Sequence, residues 1–292
     1  MIYRVRHVTT YTYPETVSIC HNELRLRPRE GARQRRVSHE LLVSPMPAVS
    51  HQAVDFFGNH VTFFAVQEPH RALIVTANST VEVTPVEIPP ATNTPAWETV
   101  RDALRHDRST AGLEAYQYVF DSPYVASSSP LWRYASPSFP PGGSLLTTVL
   151  DLTRRIHADF TYDPKATSVS TPLNDVLHTR RGVCQDFAHV QIGCLRAMGL
   201  AARYVSGYLV TQPLPGRARL VGADASHAWV SVYCPGFGWI DVDSTNNLLP
   251  SDRHITIAFG RDYGDVSPIK GVFLGGGQHT VEVAVDVVPV DA

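Results

Sequence analysis

Apolar and polar residues alternate with a period of two through the first part of the chain. Tyr3 and Val5 are separated by Arg4 and followed by Arg6, a pattern typical of a half-buried strand. Residues 54–64 place a Gly-Asn turn between arms rich in aromatic and β-branched residues, which predicts a hairpin. A further strand is predicted over residues 72–83. Several short strands joined by turns predict an N-terminal β-sandwich over residues 1–88.

The pattern changes after this region. Three prolines between residues 88 and 95 interrupt any strand or helix, and residues 89–143 are therefore predicted to form a proline-rich linker and helical extension. Beyond it, Leu145, Val149, Leu152 and Ile156 recur at the spacing of one helix face. This spacing predicts a helix capped by Ser144.

The remaining residues alternate between helical and strand signals. A short helix is predicted to begin at Thr171-Pro172, and a longer one to run over 184–198 and end at Gly199. Strands are predicted over 202–210, 226–234, 239–242 and 280–288. Helices followed by an antiparallel sheet predict an α+β fold, with a second domain over residues 144–292.

Composition and charge exclude several classes of protein. The chain is 43% hydrophobic and 18% charged, with a formal net charge of −2, so neither general disorder nor a global field for nucleic acid is expected. No apolar run approaches the roughly 20 residues that span a bilayer. The N-terminus lacks the hydrophobic region of a secretory signal, and four cysteines are too few for a disulfide framework. A reduced, cytoplasmic protein is expected.

Cys184 is the first candidate for chemistry. The segment Arg181-Gly182-Val183-Cys184 delivers this cysteine to the first turn of a predicted helix. Unpaired N–H groups there favour the thiolate, which is the nucleophilic form of cysteine. The alternative is a small buried hydrophobic residue, which is how most cysteines in reduced proteins behave. Position alone does not decide between the two.

A histidine and two carboxylates follow on neighbouring predicted strands. His227 shares a strand face with Trp229, and a four-residue turn leads into the strand that carries Asp241 and Asp243. A hairpin would bring one of these carboxylates beside the imidazole, where it could orient the ring. Because strand side chains alternate with period two, Asp241 and Asp243 face the same way. Spacing alone therefore leaves both open.

Three sequence blocks, Arg181–His189, His227–Val230 and Gly238–Asn246, together resemble the transglutaminase-like superfamily, in its bacterial branch with a β-rich N-terminal region. The resemblance covers about residues 144–246. It implies a papain-like cysteine-proteinase core at residues 144–292, with Cys184 as nucleophile, His227 as base and Asp243 as orienting acid. The family's third block usually reads Asp-Pro-Thr, whereas this chain reads Asp243-Ser244-Thr245. The match favours Asp243 over Asp241.

The resemblance implies acyl transfer on amide or peptide bonds through a thioester. The Cys184 backbone N–H is expected to stabilise the oxyanion, and Tyr162 is a candidate second donor. Hydrolysis by a peptidase or amidase is preferred. Protein transamidation and a non-catalytic peptide-binding module are the alternatives. The expected partner is a peptide or protein amide substrate, with no cofactor, metal, nucleic acid or membrane, and the oligomeric state is left open.

A zinc site is a weak rival. Cys184, His189 and Cys194 step five residues at a time, so successive side chains point about 140° apart around a helix. His227 and Cys234 are further ligand types, but no Cys-x2-Cys pair is present. His189 is better interpreted as a residue on a helix face, able to pair with Asp186.

The only basic concentration lies between residues 25 and 36, where six arginines occur. A nucleic-acid patch is conceivable, but no aromatic residues are interleaved with these arginines. A solvated strand-and-loop face is the preferred interpretation. A third interpretation, ranked between these two, is that the arginines bind the carboxylates of an acidic substrate through their planar guanidinium groups.

Overall fold

A computed structural model describes residues 1–210 and 226–290. Its strands fall into an N-terminal group, a central group and a C-terminal pair. They are β1 (Ile2–Leu24), β2 (Gln34–Ser44), β3 (Val49–Val54), β4 (His60–Val66), β5 (His70–Val83), β6 (Thr161–Tyr162), β7 (Arg181–Gly182), β8 (Ala202–Leu209), β9 (Ser226–Cys234), β10 (Gly238–Val242), β11 (His254–Gly260), β12 (Ile269–Gly275) and β13 (Thr280–Pro289).

The helices lie almost entirely between the N-terminal and central strands. They are α1 (Trp97–His106), α2 (Thr110–Tyr116), α3 (Ser129–Ala135), α4 (Leu145–Asp159), α5 (Leu173–Thr179), α6 (Cys184–Ala197) and α7 (Tyr263–Val266), with single 3₁₀ turns at Ala91–Asn93, Gln117–Val119 and Ser136–Ser138. No helix within the described residues is both long and apolar enough to cross a membrane.

The N-terminal region is organised around the long strand β1. Its first half pairs with β5 on one side and β13 on the other, and its second half pairs with β4 and β12. The register of β1 against β5 shifts between Thr12 and Val17, so one strand serves both halves of the sheet. Buried side chains of both halves, among them Leu24, Phe64 and Leu73, meet in one cluster. The predicted β-rich N-terminal region is confirmed.

The central region is an antiparallel sheet covered by helices. Its strand order is β10-β9-β8-β11, and α6 packs against β8 and β9. Along β9 every residue after Ser226 is buried. This layering of helices on an antiparallel sheet confirms the α+β fold class.

The two regions share a core. Tyr3 and Val5 of β1 and Val81 of β5 belong to the same buried cluster as Tyr208 of β8 and Ile255 of β11. The C-terminal strands β12 and β13 return to pair with β1, although the sequence assigns them to the second domain. The division at residues 88 and 143 therefore stays a prediction, and the structure shows that the chain crosses between regions twice.

The start of α4 differs from the prediction. Ser144 occupies the N-cap position, but its hydroxyl donates to the Ala91 carbonyl (3.0 Å) and lies 2.7 Å from Thr147 Oγ1, and it accepts from no backbone N–H of the helix. The Leu146 N–H donates to Thr94 Oγ1 at 3.0 Å. A residue of the proline-rich linker thus satisfies the helix end, a long-range cap that sequence spacing cannot show.

Candidate active site

Cys184 is placed by the N-terminus of α6. Val183 is extended, and the backbone turns into the helix at Cys184. The Asp186 Oδ2 atom accepts a hydrogen bond from the Val183 N–H (2.8 Å) and another from Thr167 Oγ1 (2.7 Å), which fixes the first turn. Cys184 is partly exposed, whereas the other three cysteines are buried, and all four are free thiols. A partly exposed sulfur at a helix N-terminus suits a nucleophile.

His227 and Asp243 form the central contact of the site. The distance from His227 Nε2 to Asp243 Oδ2 is 2.7 Å, and both side chains are buried. The antiparallel pair β9 and β10 supplies the two residues, with Asp243 directly after the end of β10. His227 also interacts with Cys184, and this interaction raises the pKa of the imidazole. Because Asp243 engages Nε2, Nδ1 is the ring nitrogen left for the sulfur.

Asp241 has different partners. Its Oδ2 atom accepts from Arg33 Nη2 at 2.9 Å and from Trp229 Nε1 at 3.2 Å. The structure therefore brings Asp243, and not Asp241, to His227. The Trp229 ring in turn stacks on His227, with 6.1 Å between ring centroids, so Asp241 acts on the imidazole only through an intervening indole.

Asp243 is the acceptor of a dense hydrogen-bond network. Its Oδ1 atom accepts from the backbone N–H groups of Thr245 (2.9 Å) and Asn246 (3.1 Å). Its Oδ2 atom also accepts from Asn246 Nδ2 at 2.8 Å, with His254 Nε2 at 3.4 Å. These donors hold the carboxylate rigidly beside the imidazole.

Asn246 and His254 are site residues that sequence reasoning does not identify. Asn246 lies at the end of the third motif block, and that position is the only signal for it. His254 comes from β11 and also contacts the Trp229 ring edge-on at 5.2 Å. Its Nδ1 atom is buried with no hydrogen-bond partner. No local pattern links a residue on β11 to the β9–β10 hairpin.

The protonation states follow from this network. Burial disfavours the charged form of His227, but the interactions with Asp243 and Cys184 outweigh burial and raise its pKa to about 10. Burial would raise the pKa of Asp243, yet the hydrogen bonds from His227, His254 and Asn246 hold it well below its usual range. Burial lowers the pKa of His254. At neutral pH His227 is an imidazolium against a carboxylate, and His254 is neutral.

Tyr162, the candidate oxyanion donor, lies beside the strand that leads to Cys184. Tyr162 of β6 pairs with Gly182 of β7. Burial and the charge of Cys184 raise the pKa of the Tyr162 hydroxyl, so the hydroxyl keeps its proton at neutral pH. Its side chain is 54% exposed. The placement is compatible with a donor at the edge of the site, and the role stays a prediction.

Of the zinc ligands considered from the sequence, His189 and Cys194 have partners other than Cys184 and His227. His189 Nε2 accepts from the Tyr263 N–H at 3.1 Å, and Cys194 Sγ contacts the Leu131 carbonyl at 3.6 Å. Among the described residues, the group that could hold a metal is instead His227, Asp243 and His254. Ligand atoms bound to one Zn²⁺ at about 2.0–2.1 Å lie about 3.3 Å apart in a tetrahedron. The His227–Asp243 distance of 2.7 Å is shorter and fits a hydrogen bond.

Two surface expectations are wrong. Asp186 caps its own helix and does not pair with His189, whose ring is buried and stacks on Tyr124. The basic concentration is not a solvated face, because three of its six arginines are largely buried in ion pairs within this chain. These pairs are Arg25–Asp55, Arg33–Asp241 and Arg36–Glu30, whereas Arg35, paired with Glu82, is largely exposed.

Comparisons with known proteins agree with this fold. The model of the bacterial transglutaminase-like N-terminal region matches residues 3–82, and that of the transglutaminase-like superfamily matches residues 141–244. An uncharacterized protein of Mycobacterium tuberculosis (strain ATCC 25618 / H37Rv) is 43% identical over 295 residues, covering 98% of this chain and 92% of its own. An uncharacterized protein of Mycobacterium leprae (strain TN) is 34% identical over 288 residues, covering 97% of each chain.

Two further comparisons concern the fold of the whole chain and the sequence of its core. The solved structure of a "Putative Cysteine Protease" from Cytophaga hutchinsonii has a TM-score of 0.77 at 21% identity, covering all of this chain (100%) and 91% of its own. The protein-glutamine gamma-glutamyltransferase of Pseudomonas aeruginosa is 36% identical over 102 residues, which is 34% of this chain and 15% of that enzyme.

Fold and matches together define a class of proteins built for cysteine-dependent acyl transfer. The chain belongs to the transglutaminase-like superfamily and carries the bacterial N-terminal region found in that group.

Proposed function

We propose that the protein is a cysteine hydrolase, a peptidase or amidase that cleaves amide bonds through a thioester, with Cys184, His227 and Asp243 as its triad. The observation that carries this proposal is that one imidazole lies 2.7 Å from a buried carboxylate and interacts with a partly exposed cysteine. A partly exposed thiol, a charged imidazole and an orienting carboxylate are the parts that nucleophilic acyl transfer requires.

The proposed reaction has two steps. The Cys184 thiolate attacks the amide carbonyl carbon, and the oxyanion is stabilised by the N–H groups at the start of α6, with Tyr162 as a second donor. The His227 imidazolium gives its proton to the leaving amine as the carbon–nitrogen bond breaks, which leaves a thioester. A water molecule then loses a proton to His227 and attacks the thioester, releasing a carboxylic acid and the thiolate.

Access of water supports hydrolysis over transamidation. Tyr162, which flanks the thiol, is 54% exposed, so this side of the site is open to solvent. The resemblance of the core to a protein-glutamine gamma-glutamyltransferase favours transamidation as the second candidate. The two reactions share the thioester and differ only in whether water or an amine accepts the acyl group.

Mass spectrometry of products tests the choice directly. The full chain is incubated with a panel of glutamine-containing and other peptides, with and without a primary amine, and the Cys184→Ala variant serves as the control. We expect carboxylic acid products that do not change when amine is added. Amide products containing the added amine would replace hydrolysis with transamidation, and no product from any substrate would argue against both.

Alkylation separates an enzyme from a non-catalytic binding module. At pH 6, iodoacetamide is expected to label Cys184 at least ten times faster than free cysteine, because the neighbouring His227 imidazole activates the thiol as a nucleophile. The His227→Gln variant should lose this advantage, while His106→Gln, which changes an exposed histidine on α1, should retain it. A wild-type rate no faster than free cysteine would favour the binding module.

A further inference from the structure

A cavity of about 340 Å³ lies between the N-terminal region and the central sheet. The loop from Arg29 to Gln34 forms one wall, and strands β8, β10 and β11 form the other. Its apolar surface includes Val86 and Phe237, which are 51% and 45% exposed. Large apolar side chains that remain this accessible around a cavity provide a surface for an apolar group.

Arg203 supplies the cavity with an unusual cation. Its guanidinium carbon lies 4.0 Å from the Trp239 ring centroid and 3.7 Å from that of Phe259, so the group is held between two aromatic rings. Its Nε atom is buried without a hydrogen-bond partner. Within residues 1–210 and 226–290 no carboxylate forms an ion pair with it. The ring contacts fix the guanidinium and leave its Nε–H donor without an acceptor.

The other charged groups of the cavity have partners within the chain. Arg29 donates to Asn59 Oδ1 at 2.7 Å and to the Phe57 carbonyl at 3.2 Å. Arg33 pairs with Asp241 at 2.9 Å. Glu30, the remaining acid of the cavity wall, pairs with Arg36 outside it. In the part of the chain that the structure describes, neither Arg29 nor Arg203 forms an ion pair, but Arg29 has hydrogen-bond acceptors whereas the Nε atom of Arg203 has none.

Arg203 keeps its charge at physiological pH. Burial lowers the pKa of its guanidinium to about 10, with the charge of Asp241 opposing this effect, so the group is still protonated near pH 7. A buried charge without a partner is costly, and native proteins almost always pair it. A group from outside the chain would supply the missing partner.

We propose that this cavity binds an organic carboxylate with an apolar body, the carboxylate paired with Arg203 and the apolar body against Val86 and Phe237. A planar guanidinium matches a carboxylate through two parallel N–H···O bonds. Because the exposed side chains of Val86 and Phe237 line the cavity, an anion with an apolar body fits it better than a fully hydrophilic anion. The residues that line this cavity do not include Cys184, His227 or Asp243, so its ligand is distinct from the amide substrate of the proposed cleavage.

Two sources can supply such a carboxylate, a free organic acid or the C-terminus of a peptide ending in an apolar residue. Isothermal titration calorimetry of the full chain at pH 7.5 uses 4-phenylbutyrate and N-acetyl-Ala-Phe as the two probes. The corresponding amides, 4-phenylbutyramide and N-acetyl-Ala-Phe-amide, are the uncharged controls. We expect at least one acid to bind ten-fold or more tightly than its amide, and the tighter acid identifies the source.

Variants assign the binding to the cavity. Arg203→Met should weaken the acid at least ten-fold and leave the amide unchanged, and Arg203→Lys should fall between, because it retains the charge and loses the planar fork. Arg35→Met is the matched control, since Arg35 is exposed and pairs with Glu82 away from the cavity. The comparison of acid and amide on the unmodified chain remains decisive if Arg203→Met does not fold. Equal affinity of acid and amide, absence of acid binding, or unchanged acid binding in a folded Arg203→Met overturns the proposal.

Discussion

Asp241 and Asp243 lie two residues apart, yet their hydrogen-bond partners are different. Asp241 is in strand β10, where Arg33 and Trp229 reach it. Asp243 follows the strand, where the chain turns and two backbone N–H groups point at its carboxylate. Sequence alternation places both on one face and cannot show where the strand ends. The sequence motif could therefore indicate the acid, while its network of donors required the tertiary structure.

Exchanging each of these carboxylates for an amide separates their roles. Asp243→Asn should lower kcat/KM by about 10³–10⁴-fold, because a neutral side chain no longer stabilises the charged His227 imidazole. Asp241→Asn should cost less than ten-fold, since its carboxylate reaches the imidazole only through Trp229. Steady-state kinetics on an amide substrate from the product panel measures both, with circular dichroism to verify folding. Equal losses in the two variants would contradict the assignment of Asp243.

Helix α6 shows how an element, and not a single residue, presents the thiol. The sequence predicts this helix over 184–198 with its end at Gly199, and the structure has it over Cys184–Ala197. Strand β11 is not among the predicted strands, although Ile255, Ile257 and Phe259 alternate with smaller residues. Because this strand is not predicted from the sequence, His254, which it carries, is not predicted as a site residue either.

The turn before α6 depends on the absence of a side chain at Gly182. A Cβ atom built there would lie within 2.4 Å of Asp186 Oδ2, too close for any real contact. Gly182→Ala should therefore displace the Asp186 carboxylate from the Val183 N–H and destabilise the fold by about 1–2 kcal/mol, the range for a lost N-cap. The alkylation rate of Cys184 should fall with it, because the helix start moves.

Gly31→Ala is the control for this substitution, since a Cβ at Gly31 meets nothing within 4 Å. Urea unfolding and iodoacetamide kinetics on both variants provide the measurements. A Gly182→Ala protein as stable and as reactive as Gly31→Ala would show that the Asp186 cap does not position the thiol.

At the scale of the whole molecule, the N-terminal region is part of the same folded body as the site. Arg33 of the N-terminal loop bonds Asp241, and Asn59 exchanges hydrogen bonds with the backbone of Phe259 on β11. The sequence predicts the β-rich region and the linker from local patterns. It cannot predict these contacts, or the return of β12 and β13 to β1, because each pairs residues about 200 or more positions apart.

His7 joins the two regions at a buried position and makes their association sensitive to pH. Its Nδ1 atom lies 2.9 Å from the Tyr208 hydroxyl of β8, and its Nε2 atom 3.0 Å from Thr9 Oγ1. Burial lowers the pKa of His7 to about 4, against about 6.5 in an unfolded chain. The folded state thus holds the neutral ring, and acid favours the unfolded state, which binds the proton more readily.

The contribution of His7 to stability is therefore complete above pH 6.5, decreases as the pH falls and is lost near pH 4. With about 1.4 kcal/mol for each pH unit between the two pKa values, it reaches about 3 kcal/mol. We expect the free energy of unfolding, measured with urea, to fall between pH 7.5 and pH 4.5. This fall should be smaller by about 2–3 kcal/mol in His7→Gln than in the unmodified chain. His51→Gln, at an exposed position, should leave the loss unchanged. If His7→Gln loses as much stability as the unmodified chain over this range, proton uptake by His7 does not contribute to acid unfolding. The acid sensitivity would then come from other buried histidines, such as His189, whose pKa is also lowered by burial to about 4.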